Sequence, residues 1–168
     1  DMLVLRYYLQ IAGVKLPLYA PPEGGALRTL CECPQFDLCD LAGGLKLKGL
    51  TVQAHPVVHA VPAYALKIIH GSNTLVYTGD ISKTGGAAAF IGPADVLLCD
   101  ATFTNAQWHA GMPHLSARQA AELALEAGVG RLVLTHCPPS NDPHTLLREA
   151  REVFADSLSA YPGLIVPL

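Results

Sequence analysis

Residues 94–136 run ADVLLCDATFTNAQWHAGMPHLSARQAAELALEAGVGRLVLTH, and the fold is decided here. ADVLLCDA (94–101) is a continuous apolar run ending in polar residues, as buried strands often are. HLSARQ then opens a helix. Ser116 is its N-cap, and Gln119, three residues on, completes a capping box. AAELALEAG carries apolar residues at helical spacing, and Gly128 stands where a glycine ends a helix. RLVLTH (131–136) is a second short buried strand.

The pattern extends outward in both directions. Upstream, LKLKGLTVQAHPVV and AYALKII (about 45–69) are mostly β. Gly71, Ser72 and Asn73 form a turn before another strand, TLVYTGD (74–80). LVLRYYLQIAGV (3–14) predicts a helix with Gly13 near its end, and LPLYA (16–20) a short strand. PPEGG (21–25) is a turn within a domain, not a linker. Downstream, a second helix is expected from 143 to 158, with Pro143 in its first turn, and LIVPL as a final strand. A β-rich middle followed by strand–helix–strand alternation predicts a layered α/β protein.

Composition narrows the function classes. The 168 residues fit one domain. Apolar residues make up 51 % and charged residues 15 %, against about 25 % charged in an ordinary domain, which excludes a disordered chain. No apolar run approaches about 18 residues, so no membrane span is expected. No stretch has the basic-then-apolar pattern of a signal peptide. A net charge of −3 offers no global attraction to DNA or another long polyanion. The five cysteines are odd in number and include no CxxC pair, which fits reduced thiols in a cytoplasmic protein. Cys31, Cys33 and Cys39 lie close together, but their spacing fits no standard zinc finger. Seven histidines stand beside only 11 Lys and Arg and 14 Asp and Glu, a large share.

The histidines fall into a pattern with two aspartates. His59 ends VQAHPVVH, Asp80 ends TLVYTGD, Asp100 ends ADVLLCD and His136 ends RLVLTH. Strand ends and the loops after them are where layered folds bind ligands. A lone histidine there is more often a hydrogen-bonded structural residue than a ligand. Four repeats using only His and Asp are harder to explain that way, and His with Asp is a donor set that Zn²⁺, Mn²⁺ and Fe accept.

VVHAVPAYALKI, LVYTGD, ADVLLCDATF and HLSARQAAELALEAGVGRLVLTHCPP together resemble the later motifs of the metallo-β-lactamase superfamily, most closely its ribonuclease Z-like branch. The match runs from about Leu18 to His136; each motif is modest, but their order and spacing are specific. The resemblance implies a four-layer αββα sandwich and a site holding two divalent metal ions, Zn²⁺ or Mn²⁺. It implies that His59 binds one metal, Asp80 bridges both and His136 binds the second. His114 matches the histidine that contacts the scissile phosphate. Asp100 stands where the branch has Glu, as an orienting partner for His114; the shorter side chain departs from the pattern. The family's HxHxDH motif does not occur, and DMLVLRYYLQ resembles the helix that follows it. The expectation is therefore a single partial domain over 1–168, inactive without an upstream segment carrying that motif.

The implied activity is phosphodiester hydrolysis by a metal-bound hydroxide. Between His59 and Asp80 there is no room for the long arm with which ribonuclease Z enzymes grip tRNA. Lys46 and Lys48, the nearest thing to a basic cluster, share one exposed strand face and read as a solvated edge. Small diesters are thus favoured over tRNA as substrates, with an RNA 3′ end retained. Lactone or thioester hydrolysis and a non-catalytic binding protein of the same fold are the competing readings, the last separable by metal content. Trp108, in TNAQWHAGMP, offers a stacking face to substrate, or the loop merely packs. His55 can line the site from the same strand face as His59, though a structural role is the commoner one. His70, His109 and His144 read as surface or loop residues. The branch's dimers make a two-fold homodimer an expectation.

Overall fold

The structure, a computed structural model, describes residues 2–168. Two sheets form. The larger has seven strands in chain order: β3 (Leu45–Leu47), β4 (Leu50–Val57), β5 (Ala63–His70), β6 (Asn73–Tyr77), β7 (Val96–Asp100), β8 (Arg131–Thr135) and β9 (Ser157–Ser159). The smaller pairs β1 (Leu16–Ala20) parallel to β2 (Phe36–Asp40). The helix α1 (Met2–Ala12) precedes β1, and a short α2 (Ala26–Cys31) joins β1 to β2.

The large sheet changes character midway. From β3 to β6 the strands are antiparallel, joined in part by two-residue turns. His70 pairs with Asn73 across Gly71 and Ser72, and Gly71 takes φ 60°, the left-handed conformation that such a turn requires. From β6 to β9 the strands are parallel. Each parallel step needs a crossover, supplied by α3 (Ala87–Ile91), α4 (Ala117–Ala127) and α5 (Pro143–Arg151). These helices bury their apolar faces on the sheet. Leu97, Leu132 and Leu134 meet Leu115, Ala120, Leu123, Ala124 and Leu146 in one core.

The helix expected after His114 forms as its signals demand. The Ser116 hydroxyl accepts from the Gln119 N–H, the Gln119 side chain accepts from the Ser116 N–H, and Gly128 closes the helix with φ 72°. Two expectations at the C-terminal end need correction. The second helix stops at Arg151 rather than running to 158, and residues 157–159 become β9. Val153 and Phe154 continue the helical apolar pattern, but Arg131 pairs with Asp156 at 2.9 and 3.1 Å and Leu132 N–H donates to the Asp156 carbonyl. These bonds draw the chain back to the sheet edge. LIVPL forms no strand; Pro167 lacks a donor for a ladder, and Leu164, Val166 and Leu168 instead line a shallow cavity over Val96 and Val133. The stretch LCECPQFDLC, read only for its cysteines, contains the end of α2 and most of β2, and all five cysteines are free thiols.

Candidate metal centre

All four strand-end residues gather at one end of the large sheet. His59 lies two residues beyond β4, Asp80 three beyond β6, Asp100 at the last position of β7 and His136 directly after β8. His114 arrives from the loop before α4, two residues ahead of the Ser116 cap. Asp80, Asp100, His114 and His136 each place a possible ligand atom within 4.8 Å of the others. His59 stands beside them, its ring 5.1 Å from that of His114, while His114 and His136 are 4.6 Å apart.

The hydrogen bonds fix how each imidazole points. His59 Nδ1 lies 3.1 Å from the Pro113 carbonyl, which only accepts, so Nδ1 carries hydrogen. His114 Nδ1 lies 2.7 Å from Asp100 Oδ2 and donates to that carboxylate. The Thr102 hydroxyl donates to Asp100 Oδ1 at 2.8 Å. Its single proton is then used, so it accepts from His136 Nδ1, also at 2.8 Å. In each neutral ring the lone pair is therefore left on Nε2, the form in which imidazole binds a metal.

Asp80 faces two of these lone pairs at once. Its Oδ2 is 3.9 Å from His59 Nε2 and its Oδ1 is 3.9 Å from His136 Nε2. Both gaps are too long for a hydrogen bond. They leave open the space that a cation between nitrogen and oxygen would occupy. His136 is the most open member of the cluster, with 44 % of its side-chain surface exposed, and Asp80 follows at 42 %. Histidine lone pairs and a carboxylate of this kind fit Zn²⁺ or Mn²⁺.

Asp100 is different. It is fully buried, and its oxygens are occupied by the Ile81 N–H at 3.1 Å, His114 and Thr102. Its own N–H donates to the Thr78 hydroxyl. Three donors already meet its oxygens, which places it to orient its neighbours. The aspartate in place of the longer glutamate still reaches His114. Burial, with Asp100 adjacent, pushes the Cys99 thiol up to about 12. Burial, with Asp80 and Asp100 nearby, likewise raises the Tyr77 phenol. His136 is, among the described residues, the one non-glycine with positive φ, at 62°. Histidine is among the residue types that tolerate that region, and the turn there lets β8 end with the ring facing Asp80.

Trp108 does not stand free. Its indole Nε1–H donates to the His114 carbonyl at 3.1 Å, so it braces the loop that carries His114 and, one residue earlier, the His59 acceptor Pro113. His55 stacks on Phe90 at 4.8 Å, away from the cluster. Thr102 and Pro113 were missed by sequence reasoning. Thr102 had a signal in its position two residues after Asp100; nothing in the sequence marks a backbone carbonyl.

Residues 5–137 match the beta-lactamase superfamily domain. The chain is 36 % identical over 104 residues to the probable metallo-hydrolase YhfI of Bacillus subtilis, covering 62 % of this chain and 43 % of that protein. It is 41 % identical over 98 residues to a ribonuclease Z of Gemmatimonas aurantiaca, covering 56 % of this chain and 31 % of that protein. The crystal structure of the metallo-beta-lactamase fold protein YhfI from Bacillus subtilis superposes with a TM-score of 0.85 at 26 % identity, over 95 % of this chain and 68 % of that one. The chain spans less than two thirds of the length of the curated relatives it matches. With that domain match and the strand-end cluster together, the chain belongs to the metallo-β-lactamase superfamily.

Proposed function

We propose that the protein containing this chain is a metal-dependent phosphodiesterase acting in the cytoplasm. The observation that carries the reading is Asp80, which presents one carboxylate oxygen to each of two histidines at the same 3.9 Å, as a residue bridging two cations would. His59, Asp80 and His136 are the residues that would hold the ions. When bound, divalent ions supply a hydroxide nucleophile at neutral pH and polarise the phosphoryl oxygens.

The chain's own residues supply the rest. His114, held by the buried Asp100 carboxylate, directs its Nε2 toward the same space and stabilises charge on the phosphoryl oxygens or gives a proton to the leaving oxygen. Thr102 and Pro113 keep His136 and His59 in the tautomer with a free Nε2. Trp108 fixes the loop and offers a ring to the substrate. The ribonuclease Z relative supports a nucleic-acid-derived diester, and five free thiols support the compartment.

Full-length protein should carry close to two Zn²⁺ or Mn²⁺ per chain and hydrolyse bis(4-nitrophenyl) phosphate. Chelation should abolish the activity and added metal restore it. Asp80→Ala should lose metal and turnover together. Purified wild-type protein that stays metal-free at neutral pH would overturn this reading and leave a non-catalytic binding protein of the same fold. Metal-loaded protein that cleaves a lactone or thioester but no phosphodiester would overturn the substrate class.

A further inference from the structure

A cleft of about 670 Å³ opens beside the metal centre, within the size range of small-molecule sites. Of the metal-centre residues only His59 lines it; Asp80, Asp100, His114 and His136 do not. The cleft therefore meets the metal centre at His59. Its lining includes the segment after Asp80, with Ser82 and Lys83, and the loop of Trp108, Met112 and Pro113.

The chemistry of this lining is one-sided. Among the described residues Lys83 is the ammonium group of the lining, and no carboxylate lines the cleft. Lys83 is exposed, and no ion pair engages it among the described residues. Trp108 is half-buried and cannot swing away, because its Nε1–H is tied to the His114 carbonyl. A fixed aromatic ring and an unpaired cation lining one cleft select a ligand that carries a flat group and a negative charge.

We propose that the cleft is a nucleotide subsite. It binds the nucleotide next to the scissile phosphodiester, with the base against Trp108 and that nucleotide's own phosphate against Lys83. This rests on the phosphodiesterase reading and adds to it a requirement: the preferred substrate is a linear nucleotide ester with a second phosphate, rather than a diester with only the scissile one.

The test separates the subsite from the reaction. Full-length protein stripped of metal with a chelator is titrated by calorimetry with AMP, adenosine and inorganic phosphate. AMP should bind about tenfold or more tighter than adenosine, the effect of one charge-assisted contact. Lys83→Gln should erase that preference, Lys83→Arg should keep it, and Trp108→Leu should weaken AMP and adenosine alike. Melting curves check that each variant folds. In the metal-loaded enzyme, kcat/KM for the dinucleotide pApA should exceed that for ApA by a similar factor, and Lys83→Gln should level the two. Equal binding of AMP and adenosine, a preference that survives Lys83→Gln, or phosphate binding as tightly as AMP (an adventitious ion only) would each overturn the subsite. Bis(4-nitrophenyl) phosphate lacks a second phosphate, so its hydrolysis can succeed while the subsite fails, and the reverse.

Discussion

Thr102 carries more of the site than its size suggests. One hydroxyl ties the buried Asp100 to His136, and Asp100 in turn holds His114. Thr102→Val keeps the volume but leaves a buried carboxylate oxygen and an imidazole N–H without their partner. The expected cost is about 1–3 kcal/mol of stability, read from a denaturant midpoint. Metal affinity should fall roughly 10–100-fold, as for other residues that orient a ligand from behind, and Thr102→Ser should restore most of it. Metal affinity unchanged in Thr102→Val would show that His136 needs no such anchor.

Next to Asp100, Cys99 makes a prediction about pH. Its thiol is raised from an ordinary 9.0 to about 12, so the folded protein keeps the proton that the unfolded chain releases. Its stabilising contribution is complete below pH 9 and is lost as pH rises from 9 toward 12. Wild-type stability should thus fall across that window more steeply than that of Cys99→Ala, measured by urea unfolding at successive pH values. Parallel slopes would remove Cys99 from the explanation. The same burial should leave Cys99 unreactive toward alkylating reagents in the native protein.

Among the elements, α4 has the closest link to chemistry, because its cap sits two residues from His114. Ser116→Ala breaks a capping box with both of its bonds in place and should cost about 1 kcal/mol. The expected signature is a lower melting temperature joined to a reduced kcat, since a frayed first turn loosens the His114 loop. A stability loss with kcat unchanged would mean that Trp108 alone holds that loop.

The capping box also marks what a sequence shows plainly. Local signals such as Ser116, Gln119 and Gly128 act within one turn and were legible, as were the buried strands 96–100 and 131–135. The end of α5 was not, because it is set by Arg131 reaching Asp156, a contact 25 residues apart. The site divides in the same way. His59, Asp80, Asp100, His114 and His136 could be named from their places at strand ends and from family likeness. Their tautomers depend on Thr102 and on the Pro113 carbonyl, which only the folded chain brings near. Trp108 was read for its face, while the bond from its edge to His114 belongs to the loop's tertiary path.

At the scale of the whole molecule, among the described residues no helix is long and apolar enough to cross a membrane. The cluster instead ties the two halves of the large sheet. On the proposed reading, ions held by His59, Asp80 and His136 would stabilise only the folded form. Full-length protein should melt several degrees lower after chelation and recover when Zn²⁺ returns, with Asp80→Ala indifferent to both treatments. Equal melting with and without metal would argue that the ions sit elsewhere.

The change from antiparallel to parallel pairing at β6 also bears on the order of assembly. The hairpins from β3 to β6 make contacts between near neighbours in the chain, which form early, whereas the parallel steps must close over whole helices and come later. Synthesis runs in the same direction, N-terminal residues first. His59 and Asp80 are therefore in place on the nascent chain while Asp100, His114 and His136 are still being made. On the proposed reading, ligands from both halves of the sheet can meet the same ion only after residue 136 has cleared the ribosome, so their joint capture of metal would report that the second half of the sheet has closed.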